Sequence, residues 1–313
     1  MNRLATESYA ALVQHGEGEG KRALITGLRG FTGYYMAREL TEAGYRVFGT
    51  VLPGEQCGPD IFEVDLCEKA TVAAMVEQVQ PDVVVHLAGI AFVAHADAEL
   101  MYRVNVVGTR NLLEALAGAR HQASAVLLAS SANIYGNADV ARIDENVAPA
   151  PANDYAVSKL AMEYMARLWM DKLPIIIARP FNYSGRGQAE NFLLAKIVAH
   201  FRRGERKIEL GNLAIARDFS DVRMVAKTYR RLLAASPAGQ AFNICSGQSH
   251  SIADVIGTVE QIAGYRIDVS VNPAFVRAND VLTLAGNNDK LASVVGALEP
   301  TPLAETLRWM YQA

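Results

Sequence analysis

Cysteine is scarce in this chain of 313 residues: Cys57, Cys67 and Cys245 are the only three, an odd number without C-x-x-C spacing. Neither a disulfide framework nor a zinc knuckle is suggested, no metal is expected, and a reducing compartment fits best. Charge of one sign is equally lacking, with 30 Lys and Arg against 33 Asp and Glu and a formal net charge of −3. That balance offers no electrostatic footprint for a phosphate backbone or an anionic membrane, so neither nucleic acid nor membrane is expected as a partner. Long apolar runs are missing too. The stretches 83–92 and 173–178 are too short to cross a bilayer, and the first residues carry Glu7, His15 and Glu17 where a secretory signal needs an apolar core. A cytoplasmic location is expected. With only 11 Pro beside 24 Gly, 51% hydrophobic and 20% charged residues, the chain is neither disordered nor collagenous. Its length suits one large α/β unit plus a smaller lobe.

What is present is a rhythm. Residues 1–20 end in a glycine-rich run, 16–20, and read as a flexible extension. From residue 21, short apolar runs (23–26, 45–49, 82–87, 125–129, 174–178) alternate with segments of helical period (31–43, 97–120, 154–172). Continuous apolar strands separated by helices predict a doubly wound parallel sheet covered on both faces. After about residue 181 the pieces shorten, with helical pattern over 189–203, 222–235 and 251–263 and a strand near 207–210. This predicts a dinucleotide-binding domain over 21–180 and a smaller substrate-binding lobe over 181–313, some of whose elements return to the first sheet. Such lobes stack on the carboxyl edge of the strands, where open α/β sheets bind ligands.

The first strand runs into Gly27-Leu-Arg-Gly30-Phe-Thr-Gly33, which opens a helix near Phe31. Glycines at these places allow a sharp turn and close approach of backbone to a pyrophosphate, which then rests on the helix amino end. The second strand ends at Thr50-Val51-Leu52 without the acid that would select NAD through its ribose. Arg29 lies where it could reach a 2′-phosphate, which tips the expectation from NAD toward NADP. Asp65-Leu66 is placed to meet the adenine edge; Asp65 reads equally well as a helix cap before Glu68.

Tyr155 and Lys159 stand four apart at the start of a helical segment, on one face. A neighbouring ammonium favours phenolate, so the tyrosine pKa is expected to fall toward the working range of an acid/base group. The strand over 125–129 delivers Ser130 and Ser131 to the same sheet edge.

Together with His86-Leu-Ala-Gly89, Asn105-Val-Val-Gly-Thr109 and Ala178-Arg-Pro-Phe-Asn182, these residues resemble the short-chain dehydrogenase/reductase superfamily, in its extended, nucleotide-sugar branch. The resemblance covers nearly the whole chain from residue 21 and implies a Rossmann-type fold. It implies Tyr155 as general acid/base, Lys159 as its electrostatic partner on the nicotinamide ribose, and Ser131 as holder of the substrate oxygen, with Ser130 a structural neighbour. Gly27, Arg29, Gly30, Phe31, Gly33, Asp65, Leu66, Leu87, Ala88, Gly89, Asn105 and Pro180 would contact the cofactor. His86 reads as a core residue rather than a base.

Glu209-Leu-Gly-Asn-Leu213, Arg217-Asp-Phe-Ser-Asp-Val222, Phe275-Val-Arg277 and Asp280 look like the branch of GDP-mannose dehydratases and GDP-4-keto-6-deoxymannose reductases. By that resemblance Arg217, Arg277 and Asn182 grip a diphosphate, Asp280 lies near the guanosine ribose, and Asn133 faces the sugar. In the dehydratase pattern a Glu stands at the place of Asn133, and asparagine cannot take a proton at neutral pH. Dehydration is therefore disfavoured, and His95 with Tyr183 makes a poor epimerase pair. The expectation is NAD(P)H-dependent reduction of a 4-keto-6-deoxyhexose bound to GDP, giving GDP-D-rhamnose or GDP-6-deoxy-D-talose. An epimerase or dehydratase with bound NAD, and more remotely a non-catalytic dinucleotide-sensing regulator, are the alternatives. The resemblance also implies a homodimer, through a four-helix bundle of the helices near 97–117 and 154–170.

Overall fold

A computed structural model of the chain describes residues 16–91, 97–213, 215–276 and 283–313. Its strands, in chain order, are β1 (Arg22–Thr26), β2 (Arg46–Val51), β3 (Ile61–Glu63), β4 (Val83–His86), β5 (Ala125–Ala129), β6 (Ile175–Pro180) and β7 (Asn182–Ser184). There follow β8 (Lys207–Leu210), β9 (Ala216–Asp221), β10 (Gln240–Ile244), β11 (Ser249–Ser251), β12 (Asp268–Val271) and β13 (Thr283–Leu284). Seven of them form one sheet in the order β10-β6-β5-β4-β1-β2-β3, and each neighbouring pair is parallel.

Alternation along each strand splits its apolar residues between two cores. Ala23, Ile25, Val83 and Val85 meet the helices Phe31–Glu42, Val222–Ala235 and Asp289–Val295 on one face. Leu24, Val84, Val126 and Leu128 meet Lys69–Val79, Thr109–Gly118 and Asp154–Arg167 on the other. The doubly wound sheet is thus as expected. β10, from the late part of the chain, pairs with β6 throughout its length.

The smaller lobe is built on β9, which pairs with β7, β11 and β13, and on the parallel pair β8 and β12. Its own core holds Leu194, Ile197, Phe201, Phe219, Val255 and Leu307. The described part of the N-terminal extension, residues 16–20, is a docked turn rather than a loose tail. The amide of Gly18 donates to the carbonyl of Ala43, and Glu17 pairs with Arg230 at 2.9 Å, which also holds Glu39 at 2.7 Å. The helical segment expected over 97–120 consists of a short helix Ala98–Tyr102, a π-helical turn Arg103–Gly108 and the helix Thr109–Gly118. No helix among the described residues is long and apolar enough to cross a membrane.

Candidate active site

A cleft of about 1010 Å³ runs along the carboxyl edge of the sheet, between it and the smaller lobe. At one end lies the glycine turn. Gly27 has φ +73°, and a Cβ there would sit 2.9 Å from the amide nitrogen of Ala88; at Gly33 it would sit 2.3 Å from the carbonyl oxygen of Gly27. Side chains are excluded, so helix and strand close up. The helix Phe31–Glu42 begins at Gly30 with no side-chain cap, and Gly30, Phe31, Thr32 and Gly33 all line the cleft. Uncapped amides and the positive end of the helix dipole suit a pyrophosphate, so the turn fits a dinucleotide.

Leu87, Gly89 and Pro180 continue this wall. Ala88 and Asn105 stand behind it. The Ala88 amide donates to Thr26 Oγ1, and the Asn105 amide group is engaged by the protein: Oδ1 accepts from Ile90 N at 2.9 Å, and Nδ2 donates to the Ile90 carbonyl and to Ser158 Oγ. Asn105 is therefore a brace between the loop after β4 and the helix Asp154–Arg167. The π-helical turn that carries it aims its side chain there. Asp65 and Leu66 lie outside the cleft lining. Asp65 Oδ1 accepts from Cys67 N at 2.8 Å in a local turn, so it does not cap the helix Lys69–Val79. Leu66 is buried in the core. Arg29 is exposed beyond the turn, 3.5 Å from Glu55 and bonded to the carbonyl of Gln56 in the loop after β2.

The catalytic candidates converge. Asn153 caps the helix Asp154–Arg167, accepting from Ala156 N at 2.9 Å, and one turn separates Tyr155 from Lys159 on its cleft face. Ser131, just past β5, lies close enough to the Tyr155 phenol to favour its ionised form, and accepts from the amide of Asn133. The expected depression of the tyrosine pKa is overturned. Burial pushes the Tyr155 phenol up to about 12, with Ser131 opposing and Tyr183 adding to the rise. Lys159 is not among the groups that offset this rise; its ammonium donates to the carbonyl of Ala129 at 2.9 Å. Burial brings Lys159 itself down to about 8, against the pull of Glu163.

Behind these residues lies a buried network that sequence reasoning missed. Glu163 accepts from Arg179 Nε and Nη2 at 3.0 and 2.7 Å and from Ser130 Oγ at 2.5 Å. Arg179 Nη1 donates to the Tyr135 hydroxyl, which donates to Asn243 Oδ1, both at 2.8 Å. Glu163 stands four residues beyond Lys159, and that spacing was the available signal. His86 bridges Thr26 Oγ1 and Thr109 Oγ1 at 2.7 and 2.8 Å, and burial lowers its pKa to about 3, so it is a neutral core residue as expected.

Asn133, Asn182 and Arg217 reach the cleft. Asn182 Nδ2 is buried without a hydrogen-bond partner among the described residues, a donor available to a ligand. Arg217 donates to the carbonyl of Ala216. Arg277, Asp280 and His95 lie outside the described residues. Lys196, which the sequence reading passed over, also lines the cleft, with its ammonium 4.4 Å from the centre of the Phe275 ring.

Residues 24–310 match the GDP-mannose 4,6 dehydratase family. The GDP-6-deoxy-D-talose 4-dehydrogenase of Aggregatibacter actinomycetemcomitans is 33% identical over 88% of this chain and 91% of that relative. The GDP-6-deoxy-D-mannose reductase of Pseudomonas aeruginosa is 32% identical over 92% and 95%. Among solved structures, one chain from Burkholderia cenocepacia J2315 is 53% identical, with a TM-score of 0.89 over 94% of this chain and 98% of that one. RMD from Pseudomonas aeruginosa, complexed with NADPH, is 30% identical with a TM-score of 0.82 over 93% and 98%.

Proposed function

Because the chain belongs to the GDP-mannose 4,6-dehydratase family of extended short-chain dehydrogenases/reductases, we propose that it reduces the C4 ketone of a nucleotide-diphospho-4-keto-6-deoxyhexose with NAD(P)H. The substrate is GDP-4-keto-6-deoxy-D-mannose and the product GDP-D-rhamnose or its C4 epimer GDP-6-deoxy-D-talose. One observation carries this reading: beside the Tyr155 phenol, no base among the described residues of the cleft is positioned to take a proton from carbon. Its described lining contains no imidazole or thiol, and its single carboxylate, Glu190, is bound to Arg203 at 2.8 Å. Elimination and epimerisation at C3 or C5 need such a base; reduction needs only a proton donor and a held ketone.

Bound nicotinamide would supply a hydride to the ketone carbon. Tyr155, kept protonated by burial, gives its proton to the ketone oxygen as alkoxide character develops there. Ser131 orients that oxygen, and the Lys159 ammonium, one turn along, stabilises the charge. Asn133 meets a sugar hydroxyl, Asn182 and Arg217 hold the diphosphate, and Gly27, Gly30, Phe31 and Gly33 seat the dinucleotide.

NADPH is the preferred reductant in this reading: Arg29 reaches the loop after β2, and the strand ends without an acid at 50–52. Homodimerisation is supported by Leu100, Val107, Val157, Tyr164 and Leu168, apolar and exposed on two adjacent helical segments. Three free cysteines agree with a cytoplasmic site of action. The test is incubation with GDP-4-keto-6-deoxy-D-mannose and each reduced nicotinamide, following nicotinamide absorbance and identifying the sugar by NMR. Stoichiometric oxidation with a 6-deoxyhexose product is expected; no oxidation with either cofactor overturns the assignment.

A further inference from the structure

Tyr183 has no part in the chemistry above, yet it touches both halves of the cleft. Its hydroxyl is 2.8 Å from Thr32 Oγ1, and its ring stacks on Phe31, with centroids 6.1 Å apart and planes 13° from parallel. Thr32 and Phe31 are the first two residues of the helix whose amino end receives the pyrophosphate. On the other side Tyr183 follows Asn182 in β7 and lies close enough to Tyr155 to disfavour ionisation of its phenol. The segment is fastened further along. The Tyr35 hydroxyl donates to the carbonyl of Arg186 at 2.7 Å, and a Cβ on Gly185 would sit 2.5 Å from Val222 Cγ1. Phe31, Thr32, Tyr183 and Tyr155 line one continuous cleft.

We propose, on the basis of the reductase reading, that Tyr183 is a positioning residue that forms a hydroxyl clasp with Thr32 and sets the stance of the nicotinamide ring against Tyr155. Transfer between two bound reactants tolerates little misplacement, whereas affinity for each reactant is supplied elsewhere in the cleft. The clasp therefore governs turnover more than binding.

The test compares Tyr183→Phe, Thr32→Val, Thr32→Ser and the Phe/Val double variant. In single turnover with GDP-4-keto-6-deoxy-D-mannose, the first two are expected to slow NADPH oxidation about 10- to 100-fold, with sugar KM and NADPH Kd nearly unchanged. Thr32→Ser restores the rate, and the double variant is no slower than the worse single, as for two ends of one bond. The pH profile does not move in Thr32→Val, which leaves the Tyr183 phenol beside Tyr155. Without any sugar, the fluorescence enhancement of bound NADPH is expected to fall in Tyr183→Phe and Thr32→Val and to return in Thr32→Ser. Unchanged fluorescence in both, or losses that multiply in the double variant, overturns the clasp. A wild-type enzyme inert toward the sugar overturns the reductase reading instead, and the fluorescence arm still decides the role of Tyr183.

Discussion

Lys159 is a buried ammonium whose proton is held less tightly than in water, and two consequences follow from its pKa of about 8. The folded state binds fewer protons than the unfolded chain between pH 8 and about 10.4, so this residue makes stability rise with pH across that window. At neutral pH this lowered proton affinity corresponds to a cost of roughly 3 kcal/mol. Lys159→Met is expected to raise Tm at pH 7 while turnover collapses, and the stability advantage should shrink as the pH approaches 10; thermal melts at three pH values read this. Arg29 is the second test at this scale. Arg29→Ala should raise KM for NADPH about tenfold, the loss of one charge-assisted contact, and leave KM for NADH within about twofold. Equal effects on both cofactors would separate Arg29 from the 2′-phosphate. The residues themselves were legible, because Tyr155, Lys159 and Ser131 lie at spacings local geometry fixes. Their protonation was not, since i, i+4 proximity says nothing of the carbonyl on which an ammonium settles, here Ala129.

Among the elements, the helix Asp154–Arg167 depends on partners no local pattern displays. Glu163 is fully buried on it, and its ion pair with Arg179 of β6 joins helix to sheet. Glu163→Gln leaves the Arg179 guanidinium buried without its counter-charge, and should cost about 3–5 kcal/mol in urea unfolding. Since the Glu163 charge supports the Lys159 ammonium, its loss should also move the alkaline fall of the reduction rate to lower pH. A stability loss with an unmoved pH profile would confine Glu163 to the scaffold. The pattern over 97–120 predicted one helix because 3.6-residue periodicity barely distinguishes α from π geometry across a single turn. β1, β2, β4, β5 and β6 of the main sheet were readable as continuous apolar runs; β10 was not read, and β3, β7, β11 and β13 have three residues or fewer and offer no period to read.

At the scale of the whole molecule, the chain crosses the boundary near residue 181 more than once. β10 and the helix Val222–Ala235 belong to the core of the first sheet although they follow the smaller lobe's first strands. Sequence order alone does not say which elements return, since a run such as 240–244 pairs with β6 only through contacts formed across some sixty residues. Assembly is the prediction at this scale. Tyr164 is 54% exposed on the same helix as Tyr155, and Leu168, the residue that caps its carboxyl end, is 78% exposed. The Tyr164→Asp/Leu168→Asp double variant should sediment as a monomer where the wild type sediments as a dimer, because an apolar seam of this kind cannot close over two carboxylates. A wild type that is monomeric at micromolar concentration would leave those side chains without that partner.

The late arrival of β10 has a further consequence, for the chain on the ribosome. Until Ile244 has emerged, β6, whose six residues are all buried in the finished protein, stands at the rim with the backbone donors and acceptors of its outer edge unpaired. The 64 residues from Pro180 to Ile244 take roughly 3 to 13 s to synthesise at about 5–20 residues per second. During that interval the nascent polypeptide presents a sticky border that holdase chaperones are suited to shield, and a premature stop before residue 240 would leave it permanently open to aggregation.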